Sequence, residues 1–351
     1  MSVSEAARQR GTQVFQAFQD VGAMAVETDI LQPAETLLDL YGETIRARAY
    51  VTQDPMRGEM MLRPDFTVPV VQMHMQDGAE PARYTYMGDV FRKQDVGSSR
   101  PSEYLQVGYE VFDRSNAAAA DAEVFVRLAE VVKCLSLRAV MGDIGILTAA
   151  VSGLTTSDQR RGALMRHIWR PERFDNLLQR FSSVVSHRSV SQVDAPHIGL
   201  RGSSEIAERL DVLAADAQQT PLDPEQLSAL SEISALKASA PMALAQLRLI
   251  TERMPAISDA VAGFAERLDA LQALGVDTSD VIFEGSYGRR SLEYYDGFVF
   301  GFYADAMPDW PPVISGGRYD ALTRVLGQGR SIPAVGGVVR PELLAILEAD
   351  I

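Results

Sequence analysis

Gln106 and Glu110 stand four positions apart in LQVGYEVF (Leu105–Phe112), with Gly108 between them. In an extended strand, side chains alternate between faces, so these two point the same way and the glycine leaves a gap. An amide that donates and accepts, beside a carboxylate that accepts, makes a floor on which a small polar ligand could lie. Arg92 and Arg100 bracket the polar loop Lys93–Pro101, and their guanidinium forks suit a carboxylate or a phosphate. Asp65, in LRPDFT (Leu62–Thr67), sits where a strand would turn into a helix. It either caps that helix or presents a carboxylate to a ligand ammonium. Taken alone, the residues of this stretch also fit a solvated hairpin.

The elements that would position these residues emerge from periodicity. Tyr84–Phe91 and Tyr104–Phe112 read as antiparallel strands. Ser4–Val21 has the spacing of an amphipathic helix, and Ala34–Tyr41 reads as a short one. Arg46–Thr52 and Glu59–Arg63 alternate like strands about a turn at Asp54–Gly58, and Val68, Val71 and Met75 continue at helical spacing. Ala117–Val140 reads as one long helix, which places Cys134 in the core rather than in a nucleophile's position. From about Thr155 to Thr278, helical segments are punctuated by prolines. Strands return at Val281–Glu284, Leu292–Tyr295 and Phe298–Tyr303; Val313–Arg318 carries Gly316 and Gly317, and Ala334–Val339 is a last strand. Helices Tyr319–Leu326 and Pro341–Leu347 complete the pattern. Strands on both sides of a helical insertion, without regular βαβ alternation, predict an α+β fold with a mixed, mainly antiparallel sheet.

Composition narrows the function classes. The 351 residues carry 33 Lys and Arg against 47 Asp and Glu, a net charge of −14, and show no local basic patch for nucleic acid. One cysteine excludes a disulfide framework within the chain and a thiolate metal cluster. No phosphate-binding P-loop, H-E-x-x-H or C-x-x-C occurs. A glycine pattern starting at Gly327 and Gly329 fails as a dinucleotide fingerprint at Ile332. His74, His167, His187 and His197 lie in separate segments, so no nucleophile–histidine pairing is indicated. Neither a signal peptide nor a membrane span is apparent, so a cytoplasmic protein with no bound cofactor or metal and no membrane partner is expected.

Four blocks in order, LRPDFT, YMGDVFR with LQVGYE, RRSLEYYDGFVF, and SGGRYDAL with PAVGGVV, together resemble the catalytic core of class II histidyl-tRNA synthetases. The resemblance runs over nearly the whole chain. It implies a class II aminoacyl-tRNA synthetase-like core formed by residues 1–154 and 279–351, with 155–278 as a mainly helical insertion. It also implies that L-histidine would lie on the antiparallel sheet. Its ammonium would meet Asp65 (a Glu in most synthetases), Thr67, Gln106 and Tyr295; its imidazole, Glu110 and Tyr294; its carboxylate, Arg290 and Gln106. Arg92 and Arg100 match the arginines that this family uses on ATP phosphates.

Departures from the family pattern redirect the function. Where the family starts a helix with G-L-E-R, this chain has Arg340-Pro341-Glu342-Leu343, so Leu343 replaces an ATP-binding arginine. The sequence stops at Ile351, whereas an anticodon-binding domain would need roughly 100 further residues, so no tRNA partner is expected. This combination resembles the regulatory subunits of short-form ATP phosphoribosyltransferase. The resemblance implies a non-catalytic dimer inside a hetero-octamer with the catalytic subunit, activating it and mediating feedback inhibition by histidine. Coupling would run through the Lys93–Pro101 loop or the Gly285–Tyr295 segment. A stand-alone enzyme that activates histidine with ATP and a scaffold with a dead pocket are the rival readings.

Overall fold

The hairpin is the spine of a larger sheet. In the computed structural model, residues 3–35, 47–98, 100–183, 199, 202–289 and 294–349 are described. Their strands are β1 (Met24–Ala25), β2 (Leu31–Pro33), β3 (Val51–Asp54), β4 (Gly58–Leu62), β5 (Ala82–Phe91), β6 (Glu103–Phe112), β7 (Arg138–Asp143), β8 (Lys237–Ser239), β9 (Ile282–Glu284), β10 (Phe298–Tyr303), β11 (Ile314–Arg318) and β12 (Ala334–Val339). Among the described residues, nine of them form one sheet in the order β1-β5-β6-β12-β11-β10-β7-β9-β8. Its centre is antiparallel; the pairs β1–β5 and β7–β9 are parallel. β2, β4 and β3 make a separate small sheet. The mixed, mainly antiparallel α+β fold is therefore as expected.

Period-two alternation gives the sheet two different faces. From β6, Val107, Tyr109 and Val111 enter an apolar core with Val14 and Phe18 of the helix Val3–Asp20 and Phe125 and Leu128 of the helix Ala117–Glu130. The opposite face carries Gln106, Gly108, Glu110 and Phe112. Register puts Tyr86 of β5 opposite Gly108, and Gly336 and Val338 of β12 opposite Glu110 and Gly108. Ser315 and Gly317 of β11, paired with Val338 and Gly336, and Val299 and Gly301 of β10 continue this face across the sheet.

The stretch from Ala117 to Val140 departs from the single helix expected. The helix at Ala117 ends at Glu130; turns come next, and after them β7 and a helix at Ile144–Ser152. Val131 and Leu135 keep helical spacing, but Arg138–Asp143 pairs with the whole of β10, and ladder pairing outweighs local pattern. Asp143 closes the strand by accepting a hydrogen bond from the Gly145 amide, which caps the next helix. Cys134, expected in the core, is exposed on the turns beyond Glu130.

The described residues within 155–278 are largely helical but not detached from the sheet. β8 pairs with β9. Arg267, on the helix Ser258–Ala273, donates to Asp121 (2.7 Å) and Asp143 (2.9 Å), while Arg318 of β11 donates to Asp121 (2.6 Å). All four side chains are buried, so losing one partner would leave a charge uncompensated, a cost of about 3–5 kcal/mol.

Candidate functional site

The polar face of the sheet opens into a cavity of about 630 Å³. Its sheet-borne lining includes Gln106, Val338, Arg340, Ser315, Val299 and Tyr303; Asp65, Thr67, Arg92, Tyr294 and Tyr295 close one side. Of the side chains expected from sequence, these bring together Asp65, Thr67, Gln106, Arg92, Tyr294 and Tyr295. Arg290, with Ser291, Leu292 and Glu293, lies outside the described residues. Tyr294 and Tyr295, expected at the end of a strand, stand instead in irregular chain with their rings 4.9 Å apart.

Asp65 does not cap the helix Thr67–Asp77. The cap position is Phe66, without a side-chain capping bond. The buried Asp65 carboxylate instead stands 4.0 Å from the Arg92 guanidinium and 3.5 Å from the Tyr294 hydroxyl, which donates to it. Arg92 is held by its own donation to the Pro64 carbonyl (2.8 Å). Arg100 is not part of this lining: it is exposed and donates to the Asp309 carbonyl (3.2 Å).

Glu110 is fully buried and stands behind the lining rather than in it. It accepts three hydroxyl bonds, from Thr67 (3.1 Å), Tyr86 (2.8 Å) and Tyr319 (2.5 Å). Burial pushes its carboxyl up to about 7, with the hydroxyls pulling the other way and Asp65 adding to the rise. The gap expected at Gly108 is filled. A Cβ there would lie 2.0 Å from the Tyr86 ring, so the glycine makes room for this ring to cross the strand and reach Glu110. Phe66, stacked on Tyr86 at 4.3 Å, and Arg63, 4.0 Å over Phe66, fix the ring from behind. Gly336 does the same for Glu110 itself, since a Cβ would lie 1.4 Å from Oε2.

Gln106, one further pair along, has the opposite environment. It is 1% exposed, and among the described residues its Oε1 has no hydrogen-bond partner. Beside it stands Arg340, a lining residue that sequence reasoning missed. Leu343, the neighbour that departs from the family pattern, turns its side chain away and packs against the apolar core of the far face. The signal for Arg340 was available in the alternation: Gly336, Val338 and Arg340 share a face. Arg48, Glu284, Ser286 and Tyr287, which also line the cavity, come from distant segments and had no such signal. The Tyr303 hydroxyl donates to that of Tyr287 (3.1 Å) at the end far from Asp65.

Acceptors at one end (Asp65, Gln106 Oε1) and guanidiniums beside them (Arg92, Arg340), walled by tyrosines, suit a small zwitterionic ligand with a planar group. A family model described as histidyl-tRNA synthetase matches residues 2–179 and 201–344. An ATP phosphoribosyltransferase regulatory subunit of Agrobacterium fabrum is 32% identical over 345 residues, covering 89% of each chain. One from Brucella ovis is 30% identical, covering 90% of each. Among solved structures, an ATP phosphoribosyltransferase regulatory subunit/histidyl-tRNA synthetase from Bacillus halodurans superposes with a TM-score of 0.72 at 21% identity, over 98% of this chain and 79% of that one. A histidyl-tRNA synthetase from a Nostoc species gives 0.68 at 17% identity, over 99% and 73%. The chain belongs to the histidyl-tRNA synthetase family and, within it, to the ATP phosphoribosyltransferase regulatory subunits.

Proposed function

We propose that this chain is the non-aminoacylating regulatory subunit of an ATP phosphoribosyltransferase in histidine biosynthesis, and that its cavity takes L-histidine as effector. The similarity to curated regulatory subunits over about nine-tenths of both chains carries this reading. The site chemistry supports it: an amino-acid-like donor and acceptor set persists, while Leu343 packs against an apolar core where the synthetase pattern has an arginine. In this reading Asp65, Gln106, Thr67, Tyr294 and Tyr295 contact histidine. Glu110 reaches the ligand only through Thr67, and Arg290 completes the set.

The chain acts in the cytoplasm as a homodimer within a hetero-octamer, switching the catalytic subunit on and transmitting inhibition by histidine. A coupling of about 1–3 kcal/mol suffices, and the substrates of the catalytic subunit must weaken histidine binding by the same factor. Co-purification with a short-form catalytic subunit, and then assay with and without histidine, tests this directly. Association, a higher turnover and inhibition by histidine are expected; a pair that neither associates nor changes turnover overturns the proposal. The retained Gln106 and Arg92, with an acidic residue at Asp65, favour one rival, a stand-alone enzyme activating histidine with ATP. It requires histidine-dependent pyrophosphate exchange, which the regulatory reading says is absent.

A further inference from the structure

Arg340 comes directly after the last residue of β12, and its amide donates to the Val313 carbonyl (3.0 Å), so the ladder with β11 continues past the strand's end. The register that pairs Val339 with Val107 sets Arg340 next to Gln106 on the cavity face. Adjacent strands lie about 4.8 Å apart, close enough for both side chains to touch one small headgroup.

The surroundings of this guanidinium differ from those of four buried arginines, Arg63, Arg160, Arg267 and Arg318. Arg160, Arg267 and Arg318 each meet an aspartate at 2.6–2.7 Å. Arg63 lacks so short an ion pair, but the charges acting on it are Asp89 and Asp29. Arg340 donates only to neutral oxygens: Nη1 to the Pro312 carbonyl (2.6 Å) and to Ser315 Oγ (3.2 Å), and Nη2 to Ser315 Oγ (3.3 Å). Among the described residues, no carboxylate lies within 4.0 Å of it. Burial, with repulsion from the nearby Arg92, pulls its pKa down, and a carboxylate that acts on it, Glu342, does so from beyond ion-pair distance. A guanidinium nonetheless stays protonated, so a partly buried cation stands here with no carboxylate in contact among the described residues. Nε–H and one Nη2–H have no protein acceptor among the described residues.

We propose that Arg340 is the carboxylate anchor of the ligand site. Its guanidinium takes the α-carboxylate of a free amino acid, while Gln106 Oε1 and Asp65 take the ammonium. Two independent deficits, an acceptor lacking a donor and a guanidinium with no carboxylate in contact, line the same cavity. A single ligand carrying both an N–H donor and an anion would meet both. This inference rests on the reading of the cavity as an amino-acid site and supplies its anionic half. It assigns to Arg340 a role that the family pattern cannot supply, because the aligned position there is a glycine.

The test is calorimetry on the full chain and on Arg340→Met with three probes: L-histidine, histidinamide (which lacks the carboxylate) and AMP as a phosphate. The unsubstituted chain is expected to prefer histidine to histidinamide by roughly 10- to 100-fold, and Arg340→Met to lose that preference while binding histidinamide to within about threefold, as for loss of a charge-assisted bond. Retained histidinamide binding also shows that the variant is folded. If it is not, Arg340→Lys decides: a reduced preference supports the anchor, and an unchanged one removes it. A chain that binds histidine with the same carboxylate preference after either substitution overturns the anchor but leaves the amino-acid site standing. Loss of AMP binding without loss of histidine binding reassigns Arg340 to a phosphate and also overturns it. Binding of neither amino-acid probe by the unsubstituted chain overturns the amino-acid site and this inference with it.

Discussion

Gln106 and Glu110 sit on one face of one strand, both almost wholly buried, yet they belong to different kinds of site. Glu110 is saturated: three hydroxyls converge on it and two tyrosine rings seal it. Gln106 is unsaturated: among the described residues no group meets its Oε1, and the neighbouring Arg340 donates only to neutral oxygens. A buried polar group with all its bonds made holds structure together, while one left wanting marks where something else must bind. Two rungs along β6, the sheet changes from scaffold to receptor.

The largest effect that would sharpen this contrast is on stability. Glu110→Ala leaves the hydroxyls of Thr67, Tyr86 and Tyr319 without their acceptor and opens a void, so a loss of about 3–5 kcal/mol is expected in urea denaturation. A loss below about 1 kcal/mol would mean that the cage is incidental.

The next effect is a pH dependence. Glu110 holds its proton up to about 7 in the folded protein against 4.5 for the unperturbed group. A carboxyl raised in this way stabilises the fold fully below about pH 4.5, and that contribution is lost as pH rises through about 7. Its size is at most about 3 kcal/mol. Subtracting the Glu110→Gln stability profile from that of the unsubstituted chain isolates it, and identical profiles would refute the shift. Tyr86→Phe should be milder, about 1 kcal/mol for one lost hydroxyl bond. It should also move the Glu110 titration upward, because one of the bonds favouring the charged form is gone. Carboxyl titration by NMR reads this directly.

Much of this architecture was legible in the sequence because it depends on alternation. The hairpin, the shared face of Gln106 and Glu110 and the late strands β10, β11 and β12 come from period-two spacing, and the small structure at Asp54–Gly58 from turn chemistry. What escaped depends on contacts remote in sequence. β7 is a strand because β10 is there to pair with it. Gly108 is filled because Tyr86, 22 positions earlier, crosses it under Phe66. Arg100 looked like a ligand group because it mirrors Arg92 across a loop, but loop geometry takes it to Asp309 instead. Arg340 was hidden for another reason. It lies just past a strand whose alternation ends at Val339 by its apolar pattern, and one more step sets it beside Gln106.

The smallest expected effect is the most discriminating. Gln106→Met keeps roughly the volume of the side chain while removing an amide whose Oε1 is buried and unmet. Packing an isosteric replacement costs less than about 1.5 kcal/mol. Removing an unsatisfied buried acceptor returns a comparable amount. The two nearly cancel, so denaturation of the ligand-free chain should differ from the unsubstituted protein by less than about 1 kcal/mol in either direction. Histidine binding should nonetheless fall, because the acceptor for its ammonium is gone. A residue that holds the fold together cannot show that pair of results, since its loss would be felt before any ligand arrived. If Gln106→Met were instead as damaging as Glu110→Ala, the amide would have a structural partner in solution. Gln106 would then join Glu110 in the scaffold, and the boundary between the two halves of this strand would disappear.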